Sequence, residues 1–215
     1  MIASYLTQTL IRAAMVVAAL GIWHWTQSLI GCRKNPQAGI GDWFHQRTAA
    51  VHRWLTNHPA ATDRFLIASS LAIDLCGLAI LGVSIFGRTI EPFLALILVF
   101  SLRQICQGLC ALPPPEGMIW RDPGFPSLLV TYGVSNDLFF SGHTALVVLA
   151  GIEAAHLGPS WLAVVAVVHA VVQAGFVLLL RAHYMLDVLA GAWAAWFAAD
   201  MARHLAPWLD ALTGA

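Results

Sequence analysis

Six long apolar runs alternate with short polar breaks along the 215 residues of this chain, at about 10–31, 65–87, 89–112, 138–158, 159–181 and 183–206. Each is about 20 residues, the length a helix needs to cross roughly 30 Å of hydrocarbon, so the pattern predicts six membrane-spanning helices. The expected fold is all-α: a bundle of six transmembrane helices plus a short interfacial helix, forming one catalytic domain over residues 1–215. The interfacial helix is placed in the polar stretch between Cys32 and Arg64, where Trp43, Phe44, Val51 and Trp54 recur at roughly helical spacing. The other long connection, Pro113 to Asp137, opens with three prolines and continues through Pro123, Gly124 and Pro126, which forbids regular helix. It reads as a structured lid or rim loop. The remaining links are tight, so successive helices pack antiparallel.

Composition agrees with this pattern: 59% of residues are hydrophobic, 10% are charged and the mean hydropathy is +0.74, well outside the soluble range. The formal net charge of zero gives no electrostatic basis for nucleic-acid binding. Cys32, Cys76, Cys106 and Cys110 lack paired zinc-ligand spacing and read as packing thiols. The first apolar stretch carries Arg12 and no small-residue cleavage pattern, so no cleavable signal peptide is expected.

Candidate chemistry stands at two helix starts. Ser141-Gly142-His143-Thr144 opens the fourth span, and Arg181-Ala182-His183-Tyr184-Met185-Leu186-Asp187 opens the sixth. The two histidines are forty positions apart, two spans out and back, so both return to one membrane face. His183 and Asp187 stand at i and i+4, where the carboxylate can orient and polarise the imidazole. Phosphoryl transfer needs a nucleophile, an acid for the departing alkoxide and positive groups around the phosphate oxygens. His183 is assigned as the nucleophile forming a phosphohistidine, Asp187 as the stabiliser of its imidazolium and His143 as the general acid. Arg181 and Arg103 are the phosphate anchors, with backbone N–H groups from Ser141 to His143 as further donors. Asp74 lies at a depth similar to Arg103, so an Asp74–Arg103 ion pair competes with the phosphate role. The two histidines and Asp187 also suit a two-His, one-carboxylate metal site; adjacent arginines oppose a cation, and no metal or other cofactor is expected.

These strings carry a family resemblance. Asn136-Asp137-Leu138-Phe139-Phe140-Ser141-Gly142-His143-Thr144 and His183-Tyr184-Met185-Leu186-Asp187-Val188 resemble two signature motifs of the sphingomyelin synthase family. Arg103 followed by Leu112-Pro113-Pro114-Pro115-Glu116-Gly117 resembles its arginine-bearing helix and proline turn. The nearest likeness is to plant phosphatidylcholine:diacylglycerol cholinephosphotransferase, within the wider type 2 phosphatidic acid phosphatase superfamily. The resemblance covers about Arg103 to Gly191 and implies six helices and a triad at His143, His183 and Asp187. Asn136 departs from the usual Gly before the Asp, and Met185 from Ser or Thr. Phe176 and Val177 stand where lipid phosphatases carry a Ser-Arg pair, which argues against an ordinary phosphatidate phosphatase.

The expected activity is therefore transfer of a phosphocholine-type headgroup from a phospholipid to diacylglycerol or ceramide. A lipid phosphatase or phospholipase C-like hydrolase is the alternative, and a non-enzymatic transporter or scaffold the third reading. Trp120, Tyr132, Phe139, Phe140 and Tyr184 gather on the catalytic face, where aromatic faces hold a quaternary ammonium, with Asp137 as counter-charge. The expected partners are membrane lipids, with a homo-oligomer compatible, and the expected location is a bacterial inner (cytoplasmic) membrane. His24, His169, Glu153, His156, Asp200 and His204 are read as interhelical or interfacial polar contacts, and Trp23, Trp25, Trp161 and Trp193 as interface anchors. Sidedness is open: Arg33, Lys34, Arg47, Arg53, Arg64, Arg121 and Arg181 share the catalytic face, which the positive-inside rule puts in the cytoplasm, whereas the resemblance implies an exoplasmic site.

Overall fold

The computed structural model describes residues 2–32, 40–130, 132 and 138–213. Among them are eight helices and no strand: α1 (Ile2–Gly31), α2 (Trp43–Arg47), α3 (Ala49–Asn57), α4 (Pro59–Phe86), α5 (Glu91–Leu109), α6 (Gly142–Leu157), α7 (Trp161–Leu179) and α8 (Met185–Thr213). The six apolar runs correspond to α1 and α4 to α8. Five of these, all but α6, are long and apolar enough to cross a membrane; α6 has 16 residues, about 24 Å of helix, and falls short by length. Boundaries move where local chemistry outweighs hydropathy. α4 starts at Pro59, whose missing N–H costs nothing in the first turn, and α8 continues past Pro207 to Thr213.

The buried centre lies where α4, α5, α6 and α8 meet. Ile73, Ile80, Val99, Leu146, Leu149, Ala195, Ala198 and Ala202 pack there. The small residues on α8 let it lie close to α6: a Cβ built on Gly191 would stand 2.6 Å from the Ser141 carbonyl oxygen. The outward faces are equally apolar, with Val167 64%, Val171 67%, Trp193 70% and Trp208 75% exposed, as expected where hydrocarbon rather than water surrounds the helices. At the end of the bundle where α4 gives way to α5, Arg12 donates to the Gly87 carbonyl at 2.6 Å, while Asp210 accepts from Thr89 Oγ1 at 2.6 Å and from the Ile90 N–H at 3.0 Å.

Two expectations change here. The single short helix expected before α4 forms as two, with Trp43, Val51 and Trp54 outward at 65%, 46% and 48% exposure and Phe44 packed against the buried cluster. The inward face is His45, His52 and Leu55, because ring nitrogens are needed there to satisfy backbone carbonyls of the α7–α8 turn. Of the four thiols, Cys32 and Cys110 are exposed at helix ends rather than packed; Cys76 and Cys106 are half-buried.

Candidate active site

The α7–α8 turn carries His183, and its backbone is heavily determined. α7 ends in a Schellman motif: the Arg181 N–H bonds the Leu178 carbonyl at 3.1 Å and the Ala182 N–H bonds the Val177 carbonyl at 2.8 Å. The motif needs a left-handed residue after the cap, normally glycine, and here Arg181 takes it with φ 54°. A side chain in that conformation costs on the order of 1 kcal/mol. α8 then starts with half of a capping box, since Asp187 Oδ2, in the third helical position, accepts from the Tyr184 N–H at 2.9 Å. The same carboxylate stands 3.6 Å from His183 Nδ1 and is fully buried. Asp187 thus sets both the helix start and the histidine on it.

α6 begins opposite. Ser141 is its N-cap, accepting from the Thr144 N–H at 3.3 Å and from the Thr144 hydroxyl at 3.1 Å, while its own N–H bonds the Asp187 carbonyl at 3.0 Å. This pairing brings the two helix starts together, and the His143 and His183 rings lie 6.4 Å apart. His143 Nε2 is buried with no hydrogen-bond partner among the described residues. Arg103 reaches up from α5, donating from Nε to the Phe140 carbonyl at 2.9 Å and crossing Gly142, where a Cβ would stand 3.1 Å from Nε. A side chain at position 142 would have to push the guanidinium aside by a few tenths of an ångström.

His143, His183, Arg103, Gly142 and Trp120 line one end of a cavity of about 440 Å³, which runs between α1, α4 and α5 past Leu81, Phe93, Leu96 and Phe100 to Val16. Trp120 meets His143 edge-on at 5.4 Å and Tyr132 at 4.9 Å. The proline-rich connection folds over this end. Asp74 captures it, accepting from Ser127 Oγ and from the N–H groups of Leu128 and Leu129, both at 2.9 Å, while the bare Cα of Gly77 one turn on admits the Leu129 side chain. The alternative of an Asp74–Arg103 ion pair is therefore not formed: the carboxylate satisfies loop N–H groups that would otherwise be stranded among apolar side chains.

Other candidates lie off the cavity wall. Arg181 donates from Nη1 to the Glu116 carbonyl at 2.6 Å and ties the loop to the turn. Tyr184 is buried on the far side of the turn, its hydroxyl accepting from the Ile40 N–H at 3.3 Å and its ring 5.8 Å from His45. Phe140 belongs to the core, with Phe139 packed against it. Asp137 lies outside the described residues. His24, His169, Glu153, His156, Asp200 and His204 do not line the cavity; His169 faces Cys76 and His156 meets Arg203. Trp25, Trp161 and Trp193 are exposed, but Trp23 lines the cavity and is not a simple interface anchor. Among the described residues no three His, Cys, Asp or Glu side chains converge as a metal cluster.

Sequence reasoning missed a strap that holds the turn from outside. Asp42 caps two helices at once: Oδ1 accepts from the His45 N–H at 3.1 Å and Oδ2 from the Met185 N–H, the first of α8, at 2.6 Å. His45 Nε2 donates to the carbonyl of His183 at 3.0 Å, and His52 Nδ1 to that of Leu179 at 2.9 Å. Asp42 before Trp43-Phe44 is a readable N-cap signal, but nothing in the sequence pairs it with a helix 143 positions away.

Burial raises the Asp42 carboxyl, but the Met185 and His45 N–H groups outweigh it and hold the group below 3.8. Burial likewise pulls His45 below 6.5, opposed by Asp42 and the His183 carbonyl and aided by Arg181 and His52. Since the folded value of His45 lies below the unfolded one, its contribution to stability is complete above pH 6.5 and is lost as pH falls through the folded value. Thermal unfolding in detergent micelles is accordingly expected to lose more stability between pH 7.5 and 5.5 in the wild type than in His45→Gln. Parallel losses in the two proteins would show that His45 titrates without strain.

No curated protein and no solved structure matches the chain. A family model, AtPDCT1/2, matches residues 41–204, from the strap through most of α8. Its name is plant-derived and gives no support to the bacterial inner membrane expected from the sequence. With several helices apolar enough to span a membrane and the greater part of its length matched, the chain belongs to AtPDCT1/2, a phosphatidylcholine:diacylglycerol cholinephosphotransferase family.

Proposed function

We propose that this protein moves phosphocholine from phosphatidylcholine to diacylglycerol through a phosphohistidine at His183. The observation that carries the reading is the apposition of His183, backed by Asp187, and His143, whose Nε2 has no partner among the described residues, at the polar end of a long apolar cavity. With Nδ1 turned to the carboxylate, Nε2 of His183 is the nitrogen left for attack on phosphorus. The bond from phosphorus to the glycerol oxygen breaks as His143 delivers a proton to that oxygen, and diacylglycerol leaves. A second diacylglycerol then gives its hydroxyl proton to His143, attacks phosphorus and frees His183. Arg103 faces the phosphate oxygens from above Gly142, and the Asp187 carboxylate stabilises the cationic imidazole. Arg181 acts from behind, by fixing the loop. The acyl chains lie in the cavity between α1, α4 and α5.

In this reading α6 is a sixth span that starts below the membrane face, where Arg103 meets it, and α2–α3 lie at the interface with Trp43 and Trp54 outward. Ceramide is a second acceptor, and the resemblance to sphingomyelin synthases and to the wider phosphatase superfamily rests on the motif strings alone.

Purified protein given labelled phosphatidylcholine with diacylglycerol, ceramide or neither separates the outcomes. Labelled new phosphatidylcholine in the presence of diacylglycerol is expected. Free phosphocholine regardless of acceptor marks a hydrolase, and no turnover marks a non-enzyme. The aromatic pair sets the headgroup: a trimethylammonium held by Trp120 and Tyr132 gains roughly 0.5–2 kcal/mol per face. Trp120→Ala or Tyr132→Ala should therefore weaken use of phosphatidylcholine more than of phosphatidate in mixed micelles, and equal losses on both lipids would remove the choline cage.

A further inference from the structure

The cavity wall built by α1 and α5 is not uniformly apolar. Trp23 on α1 and Gln104 on α5 both line it, and each carries a buried polar atom, Nε1–H of Trp23 and Oε1 of Gln104, that has no hydrogen-bond partner among the described residues. Gln104 is not loosely placed, because its Nε2 donates to Gln27 Oε1 at 2.9 Å, and Gln27 stands at i+4 from Trp23 on the same face of α1. One donor and one acceptor thus sit buried in the cavity wall, on a cross-braced pair of helices. Unpartnered amide and indole groups are costly in hydrocarbon surroundings and are retained where something polar meets them.

Their position says what that is. Gln104 follows Arg103 directly, so the pair lies at the depth of the phosphate anchor rather than at the far end of the acyl cavity. The residues flanking the two groups, Ile22 beside Trp23 and Ile105 beside Gln104, also line the cavity and are 62% and 57% exposed. The cavity therefore has a lateral mouth between α1 and α5, opening toward the hydrocarbon, with the donor and acceptor just inside it. α1 lies outside the family match over residues 41–204.

We propose that this mouth is the entry station for the neutral acceptor lipid, with Trp23 donating to an ester carbonyl of diacylglycerol and Gln104 accepting from its free hydroxyl before that hydroxyl passes to His143. The assignment rests on the transferase reading above. Phosphatidylcholine offers ester carbonyls but no hydroxyl, and its zwitterionic headgroup bars it from the hydrocarbon route. Diacylglycerol offers both partners and, having no headgroup, arrives from within the membrane.

Two readouts test this, one of them independent of turnover. In transfer assays Trp23→Phe and Gln104→Leu should each raise KM for diacylglycerol about tenfold. Release of diacylglycerol from phosphatidylcholine alone, the first half-reaction, should fall much less than transfer does, and an unchanged thermal midpoint in micelles serves as the folding control. Wild type should prefer diacylglycerol to a dialkylglycerol of equal chain length, and Trp23→Phe should lose that preference. In parallel, a fluorescent diacylglycerol is titrated without donor, and both variants should bind it more weakly. Unchanged KM and binding, or an equal loss in both half-reactions, would overturn the entry station. If wild type binds diacylglycerol through these two residues yet transfers nothing, the site stands and the transferase reading fails.

Discussion

His183→Ala is expected to abolish phosphocholine transfer, with a fall of roughly 10⁴-fold or more, because it removes the one imidazole backed by the Asp187 carboxylate among the described residues. Asp187→Asn should lower turnover by about 10²- to 10⁴-fold while leaving the fold intact. The asparagine oxygen can still accept the Tyr184 N–H that starts α8, whereas the charge beside His183 Nδ1 is gone. The pair of variants therefore separates Asp187 as a charge from Asp187 as a helix cap. His143→Ala should retain phosphoenzyme formation from nitrophenyl phosphocholine, whose leaving group needs no proton, while losing it with phosphatidylcholine. Mass spectrometry of the trapped enzyme reads all three. Wild-type-like transfer in His183→Ala would end the phosphohistidine mechanism, and equal loss of both substrates in His143→Ala would end the acid assignment.

Gly191→Ala is also expected to damage turnover, although it touches no substrate. A Cβ there would stand 2.6 Å from the Ser141 carbonyl oxygen and 3.4 Å from the Ala145 nitrogen, both backbone atoms that cannot rotate away. The relief available is separation of α8 from α6, which pulls His183 away from His143. Misplacement by about 1 Å near reacting groups costs on the order of 10²-fold in rate, so activity should fall by at least that factor, with a lowered thermal midpoint. Gly175→Ala on α7 is the control, since nothing lies within 4 Å of the Cβ it would add, and it should behave as wild type. Full activity in Gly191→Ala would mean that the helix starts tolerate separation and that their close approach is incidental.

Much of the bundle is legible without coordinates because a membrane span advertises itself through length and composition alone. The one apolar run whose helix is too short to count as a span, α6, is capped by Ser141, where a cap rather than a hydropathy change sets the boundary. The three candidate catalytic side chains are legible as two local strings, since an i, i+4 pair and a capped helix start are short-range patterns. Arg103 and Arg181 were not separable in this way. Both are cations near the same face, and their neighbours in space, Phe140 for one and Glu116 for the other, are tens of residues away in sequence. The role of Asp74 is illegible for the same reason: its partners are loop N–H groups some 54 positions on, and every residue type but proline supplies an N–H.

What the sequence determined by itself is what depends on neighbours along the chain: apolar runs long enough to span, the proline-rich break between α5 and α6, the Ser-Gly-His helix start and the His-x-x-x-Asp face. Tertiary structure decided which polar groups meet across the bundle. It turned the α2–α3 strap so that Asp42 and His45 grip the backbone of the α7–α8 turn, set Arg103 over Gly142, and laid Trp23 of α1 beside the cavity. Hydropathy is a property of each residue and sums along a segment, so it survives in the linear pattern. A hydrogen bond between distant residues is a property of a pair and of its geometry, and it exists only once the helices have packed.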